Sequence, residues 1–134
     1  MRSCKLPGDA EGYMGRLRCV QEMSAVTAAC MMVKTSVFKA VGGFDEELKV
    51  AFNDIDLCMK VRDKGEKILF TPYAELYHYE SKSRGLEDTP EKVARFNKEI
   101  AAFEKKWPDI LKNGDPYYNP NLTLKSQDFS LKRI

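Results

Sequence analysis

Gly42-Gly43-Phe44-Asp45-Glu46, then Asn53-Asp54-Ile55-Asp56-Leu57-Cys58, then Tyr77-His78-Tyr79-Glu80-Ser81 follow one another within a window of 40 residues. Paired glycines stop a helix or let backbone approach a ligand, because glycine takes positive φ without steric cost. Phe44 is expected to anchor that turn in the core. Asn53 or Asp54 stands where a helix cap belongs, and Ile55, Cys58, Met59 and Arg62 follow at helical spacing. Lys60, Arg62 and Lys64 suit a helix C-terminus, and Gly65 sits where a left-handed cap belongs. A helix over residues 54–64 follows.

Outward from this helix, residues 67–71 read as a strand ending at Pro72, and 74–79 as a second short strand. The apolar run 25–34 suits a buried strand, and 36–41 a short helix capped by Thr35 or Ser36 and stopped by Gly42. Residues 1–23 are polar and dotted with Gly8, Gly12 and Gly15; they read as a loop with a short helix near 14–23. Downstream, Thr89 caps a long helix that opens on Pro90, runs to Trp107 and ends at Pro108. Phe96, Ile100 and Phe103 share one of its faces with Val93 and Trp107. After Gly114 no period survives, so 115–134 is expected to lie extended on the surface. The resulting division is an irregular lead-in over 1–25, an α/β domain over 26–110 and a tail over 111–134.

Composition narrows the class. Charged residues make up 31% of the 134, hydrophobic ones 43%, and the net charge is +2. That balance suits a soluble globular domain and argues against a nucleic-acid binder acting through bulk charge. No apolar run approaches the length of a membrane span. The four cysteines, at 4, 19, 30 and 58, form no CxxC pair, which disfavours zinc. Cys30 and Cys58 lie in apolar patterns and read as small core residues in a reducing cytoplasm.

Several residues carry chemistry, each with a structural alternative. Asp54, at a helix start, is a capping carboxylate or a general base facing a cleft. Asp56 is two residues on, so on a helix it points nearly the opposite way and cannot form a dyad with Asp54. It can pair with Lys60 at i,i+4 in a solvated structural role. His78, the lone histidine, is a satisfied ring between Tyr77 and Tyr79 or one ligand of a shared metal site. Ser81-Lys82-Ser83-Arg84-Gly85 is a solvated turn or a diphosphate contact, since guanidinium forks and hydroxyls suit phosphate oxygens. Tyr73, Tyr77 and Tyr79 stack on sugar rings or cover a sheet.

Taken in order, the segments from Val26 to Gly85 resemble glycosyltransferase family 2, the inverting GT-A-fold enzymes, and within it the rhamnosyltransferase-like branch. The segments that carry the resemblance are Thr27-Ala28-Ala29-Cys30, Val37-Phe38 through Gly42-Gly43-Phe44-Asp45-Glu46, Asn53 through Cys58 with Arg62, Gly65 through His78, and Glu80 through Gly85. The tail Asp115-Pro116-Tyr117-Tyr118-Asn119-Pro120-Asn121-Leu122 also looks like the end of such chains. The resemblance implies that Asp54 is the catalytic base and that His78 helps hold a divalent metal, Mg²⁺ or Mn²⁺, on the donor diphosphate. It places Ser81, Lys82 and Arg84 in a loop near the leaving group, and Gly43, Asp45 and Asn53 near donor or acceptor sugar. Two positions depart from the family pattern. Asn53 replaces the usual glutamate before the base, and Ala28 replaces the usual glycine of the strand motif.

The resemblance implies further that the chain is the C-terminal, acceptor-side part of a GT-A mixed sheet with flanking helices. Residues before 26 are too few for the family's donor-binding strand–helix units and their Asp-x-Asp metal motif. The parent would transfer a sugar from a nucleotide-diphosphate donor to a glycan hydroxyl with inversion, in the cytoplasm or at the cytoplasmic face of the membrane. The isolated part would be inactive and, with a parallel sheet cut open, prone to form a homo-oligomer through the exposed edge. The alternative is a non-catalytic binding or assembly module on the same scaffold. A nucleotide-binding regulator is a third reading, and no Gly-rich phosphate loop supports it.

Overall fold

The computed structural model describes residues 9–77, 89–126 and 128–132. Four α-helices carry the described fold: α1 (Thr35–Ala40), α2 (Asn53–Asp63), α3 (Pro90–Lys106) and α4 (Pro108–Asn113). Two short strands, β1 (Gln21–Glu22) and β2 (Leu69–Phe70), pair antiparallel with Gln21 opposite Phe70 and Glu22 opposite Leu69. The Met23 amide extends this pairing by donating to the Ile68 carbonyl at 3.0 Å. Two 3-10 turns, Tyr13–Arg18 and Ala28–Cys30, precede α1. The architecture is mixed helix and small sheet, compatible with an α/β class.

Helix α2 is the centre of the core. Leu57, Cys58, Met59 and Val61 are buried on it, and Leu48, Phe103, Met23 and Leu122 complete the apolar interior. Its entry differs from the sequence expectation. The cap is Phe52, in the left-handed conformation at φ 64°, and no side chain caps the helix. A bulky residue in that region costs about 1–2 kcal/mol. The Phe52 ring stacks on Phe96 at 5.7 Å and on Phe103 at 5.2 Å. Aromatic pairs contribute about 0.5–1.5 kcal/mol each beyond their burial, enough to offset the strain. The same contacts tie the start of α2 to the side of α3.

Helix α3 follows its sequence signals. The Thr89 side chain accepts from the Lys92 amide at 3.4 Å, and Pro90 fills the first turn, where a missing N–H costs nothing. Pro108 ends α3 and also opens α4, a helix the sequence reading did not contain. Gly65 follows α2 at φ 79°, as its position required.

The sheet is smaller than expected. Residues 67–71 contribute only the two-residue β2, and 74–77 are exposed and form no strand; 78 and 79 lie outside the described residues. The paired strands run antiparallel, so no parallel sheet is cut open among the described residues. The run 25–34 is not a buried strand. Thr27 Oγ1 accepts from the Ala29 amide at 3.3 Å, which favours a local turn over an extended ladder, and Ala28–Cys30 coil into a 3-10 turn. Cys30 is exposed there, not a core residue, whereas Cys58 is buried. Burial raises the Cys58 thiol above its ordinary range, partly countered by its bond to the Val26 carbonyl at 3.7 Å.

Two further expectations change. Phe44 is 46% exposed and packs edge-on against Phe38 instead of entering the core. The tail does not simply lie extended. Leu122 is buried and bridges to Leu131, Tyr118 Oη donates to the Thr123 carbonyl at 2.8 Å, and Phe129 stacks on Tyr13 at 4.8 Å. These apolar and aromatic side chains give the tail surface worth burying, which a reading of its prolines and asparagines alone passes over.

Candidate functional site

Helix α2 carries two carboxylates with opposite fates. Positions two apart on a helix are rotated by about 200°. Asp54 therefore faces the loop at 26–30, and Asp56 faces α3. Asp54 Oδ2 accepts from the Ala28 amide at 3.1 Å, and Oδ1 accepts from the Ile55 amide at 2.9 Å. One acceptor bond is local and the other comes from a loop distant in sequence. The carboxylate is partly exposed and sits in the first turn, where the helix dipole favours negative charge. Asn53 begins the same helix beside it.

Asp56 has no solvent-exposed side-chain surface, so the solvated role expected for it does not hold, although its pairing with Lys60 does. The reason is α3. Lys106 Nζ lies 2.8 Å from Asp56 Oδ1, and Trp107 Nε1 donates to the same oxygen at 2.9 Å. Lys60 Nζ stands 3.2 Å from Oδ2 as an ion pair without the alignment of a hydrogen bond. A buried carboxylate needs such partners, because removing a charge from water costs several kcal/mol.

The same lysines reach the glycine turn. Lys60 Nζ donates to the Gly43 carbonyl at 2.7 Å, and Lys106 Nζ lies 2.6 Å from Asp45 Oδ2. Asp45 Oδ1 in turn accepts from the Glu47 amide at 2.9 Å. Gly43 is buried at φ 66°, and an added Cβ would stand 3.1 Å from the Phe38 ring. The turn 42–46, α2 and the end of α3 are thus one polar unit: Gly43 and Asp45 face Lys60 and Lys106, and Asp56 joins the two lysines.

Electrostatics follow the geometry. The hydrogen bond from Lys106, with that from the Glu47 amide, holds the Asp45 carboxyl below its ordinary range. Burial acts to lower the Lys106 ammonium, but its bonds to Asp45 and Asp56 outweigh this and raise it. A carboxyl depressed in the folded state contributes stability above its unfolded value of about 3.9 and loses it as pH falls through the folded value. Acid unfolding monitored by Trp107 fluorescence is therefore expected to show a stability loss below about pH 4 that Asp45→Asn flattens. An unchanged pH profile in that variant would remove Asp45 from the acid-sensitive set.

The remaining site candidates, His78, Ser81, Lys82 and Arg84, lie outside the described residues. Among the described residues no group of three His, Cys, Asp or Glu side chains could hold a metal ion. Two shallow depressions, one of about 290 Å³ lined by Asp45, Leu48, Ala102 and Lys106 among others, lie along α3 and exclude Asp54. Lys106 was not singled out from sequence, and Trp107 was read only as the end of the apolar face of that helix. Their signal was present in a lysine and tryptophan at the last turn of an apolar-faced helix, but nothing local pairs them with a residue some fifty positions earlier. No helix among the described residues is long and apolar enough to cross a membrane.

No family model and no solved structure matches the chain. Curated relatives do. Over 93% of its length the chain is 55% identical to an uncharacterized protein, y4gI, of Sinorhizobium fredii, spanning 14% of it. It is 35% identical over 96% of its length to the O-antigen biosynthesis protein RfbC of Myxococcus xanthus, spanning 10% of that protein. Over 45% of its length it is 33% identical to the N-acetylglucosaminyl-diphospho-decaprenol L-rhamnosyltransferase of Mycobacterium tuberculosis, spanning 20% of it. The chain therefore spans no more than 20% of the length of these relatives.

Proposed function

These relatives support a glycosyltransferase family 2-like segment, and from that premise we propose that the chain is the acceptor-side part of an inverting GT-A enzyme. The longer protein transfers a sugar from a nucleotide-diphosphate donor to a glycan hydroxyl in envelope polysaccharide synthesis. Asp54 takes the proton from the acceptor hydroxyl as that oxygen attacks the anomeric carbon and the nucleotide diphosphate leaves. One base suffices, because a diphosphate leaves without being protonated, unlike the sugar oxygen in glycoside hydrolysis.

The observation that carries this reading is the placement of Asp54. It stands at a helix N-terminus, partly exposed, with one oxygen held by the backbone of Thr27-Ala28-Ala29-Cys30, the segment of the family's strand motif. A base must first be held within reach of the hydroxyl it deprotonates. Asn53 beside it, Gly43 and Asp45 in the glycine turn, and Ser81, Lys82 and Arg84 complete the proposed sugar and diphosphate contacts. His78 is proposed as one ligand of a Mg²⁺ or Mn²⁺ ion on the donor. Among the described residues no group of three His, Cys, Asp or Glu side chains could share that ion with it. Self-association of the chain and action at the cytoplasmic membrane face belong to the same proposal.

Because the chain spans so little of its relatives, it is expected to lack transferase activity by itself. Calorimetric titration of the 134-residue chain with nucleotide sugar and Mn²⁺ should give no measurable binding heat. The longer protein should turn over with an inverted anomeric configuration, read by proton NMR of the product. Tight donor binding by the chain alone, or a retained anomer from the longer protein, overturns the reading.

A further inference from the structure

We infer that Lys106 is a positioning residue for Asp54, acting through Asp56, an inference that rests on the reading of Asp54 as the base. The two aspartates share one rigid helical turn. The direction in which Asp54 points is therefore fixed by how α2 is rotated about its axis, and the grip on Asp56 holds that rotation together with the buried apolar face of Leu57, Cys58, Met59 and Val61. The side chain of Asp56 is wholly buried, and its Oδ1 is gripped by Lys106 Nζ at 2.8 Å and Trp107 Nε1 at 2.9 Å, both from the end of α3.

Lys106 does more than neutralise that charge. Its Nζ is also 2.6 Å from Asp45 Oδ2, so one ammonium joins the glycine turn to α2. On the other side, Lys60 joins Asp56 to the Gly43 carbonyl. Rotating α2 enough to turn Asp54 away from the Ala28 amide would break all of these contacts together. A lysine about fifty residues downstream thereby sets the aim of a carboxylate it does not touch. Positioning of this kind matters because a misplacement of about 1 Å can cost about 10²-fold in rate.

The test reads the geometry directly. In the 134-residue chain, the Ala28 amide resonance reports its bond to Asp54. Lys106→Gln is expected to move that resonance well beyond any movement of an amide in the tail, such as Lys125, and Lys106→Arg to restore it, since a guanidinium fork can span both carboxylates. Lys60→Gln, which leaves Trp107 and Lys106 in place, gives a second and smaller movement should the first variant fail to fold. An Ala28 amide unmoved in whichever variant folds, while the Trp107 indole resonance shifts, overturns the inference. In the longer protein Lys106→Gln should lower kcat by about 10²-fold; wild-type kcat in a folded variant also overturns it. If Asp54→Asn left transfer intact while Lys106→Gln still moved the Ala28 amide, the base assignment would fall and the mechanical link would stand.

Discussion

Replacing Asp54 with Asn in the longer protein is expected to lower sugar transfer by about 10²–10⁴-fold, the range that a positioned general base supplies. The substitution is nearly isosteric. With its oxygen turned to the Ala28 amide the carboxamide keeps the loop at 26–30 anchored and gives up only the local bond from the Ile55 amide. What disappears is the ability to take a proton. The loss should therefore fall on kcat, with donor KM close to wild type, since the role proposed for Asp54 is on the acceptor hydroxyl and not on the nucleotide. Asp54→Ala should lose more, because it also frees the Ala28 amide. Steady-state kinetics on both variants separate these effects. Wild-type-like turnover by Asp54→Asn would dismiss the residue as base and leave it as the anchor of the loop at 26–30.

The relation between Asp54 and Asp56 shows how far the sequence could be read. Helical spacing over 54–64 and the closing glycine were local signals, and α2 matches them. The opposite facing of the two carboxylates followed from rotation alone. What could not be read was which face met protein and which met water. Asp56 stands four residues before Lys60, so its pattern suggested a solvated ion pair, and the missing information was that α3 returns over it with Lys106 and Trp107. That return is a tertiary fact. The same limit explains the run 25–34, whose apolar content suggested a strand. A strand needs a partner, and among the described residues the only paired strands are two residues long. With no ladder to join, the segment turns locally at Thr27 and offers its backbone to Asp54 and Cys58. Phe52 is a third case. No propensity puts phenylalanine at a left-handed cap, and only the two rings of α3 make it tenable there.

Asp56→Ala is expected to destabilise the 134-residue chain by about 3–5 kcal/mol, the cost of breaking a buried ion pair from one side. The carboxylate is wholly buried, so little of this is screened by solvent. The variant leaves the Trp107 indole N–H without its acceptor and removes the counter-charge that Lys60 and Lys106 share. Lys60→Met should cost less. Its side chain is 18% exposed, and Asp56 would keep both Lys106 and Trp107. Urea denaturation of the two variants and the double variant measures the coupling: if the carboxylate unites α2 with α3, the double variant should cost less than the sum of the singles. A cost below about 1 kcal/mol for Asp56→Ala would place it with ordinary surface ion pairs. The stability of this segment and the direction of Asp54 would then have to come from the apolar face of α2 alone. A buried charge here is also replaceable in principle by well-packed apolar residues. Asp56→Leu combined with Lys106→Met is the variant that could restore stability, and it would lose the ammonium that joins Asp45 to α2. Stability recovered without recovery of the Ala28–Asp54 contact would show that the polar unit serves the aim of Asp54 beyond the folding of α2.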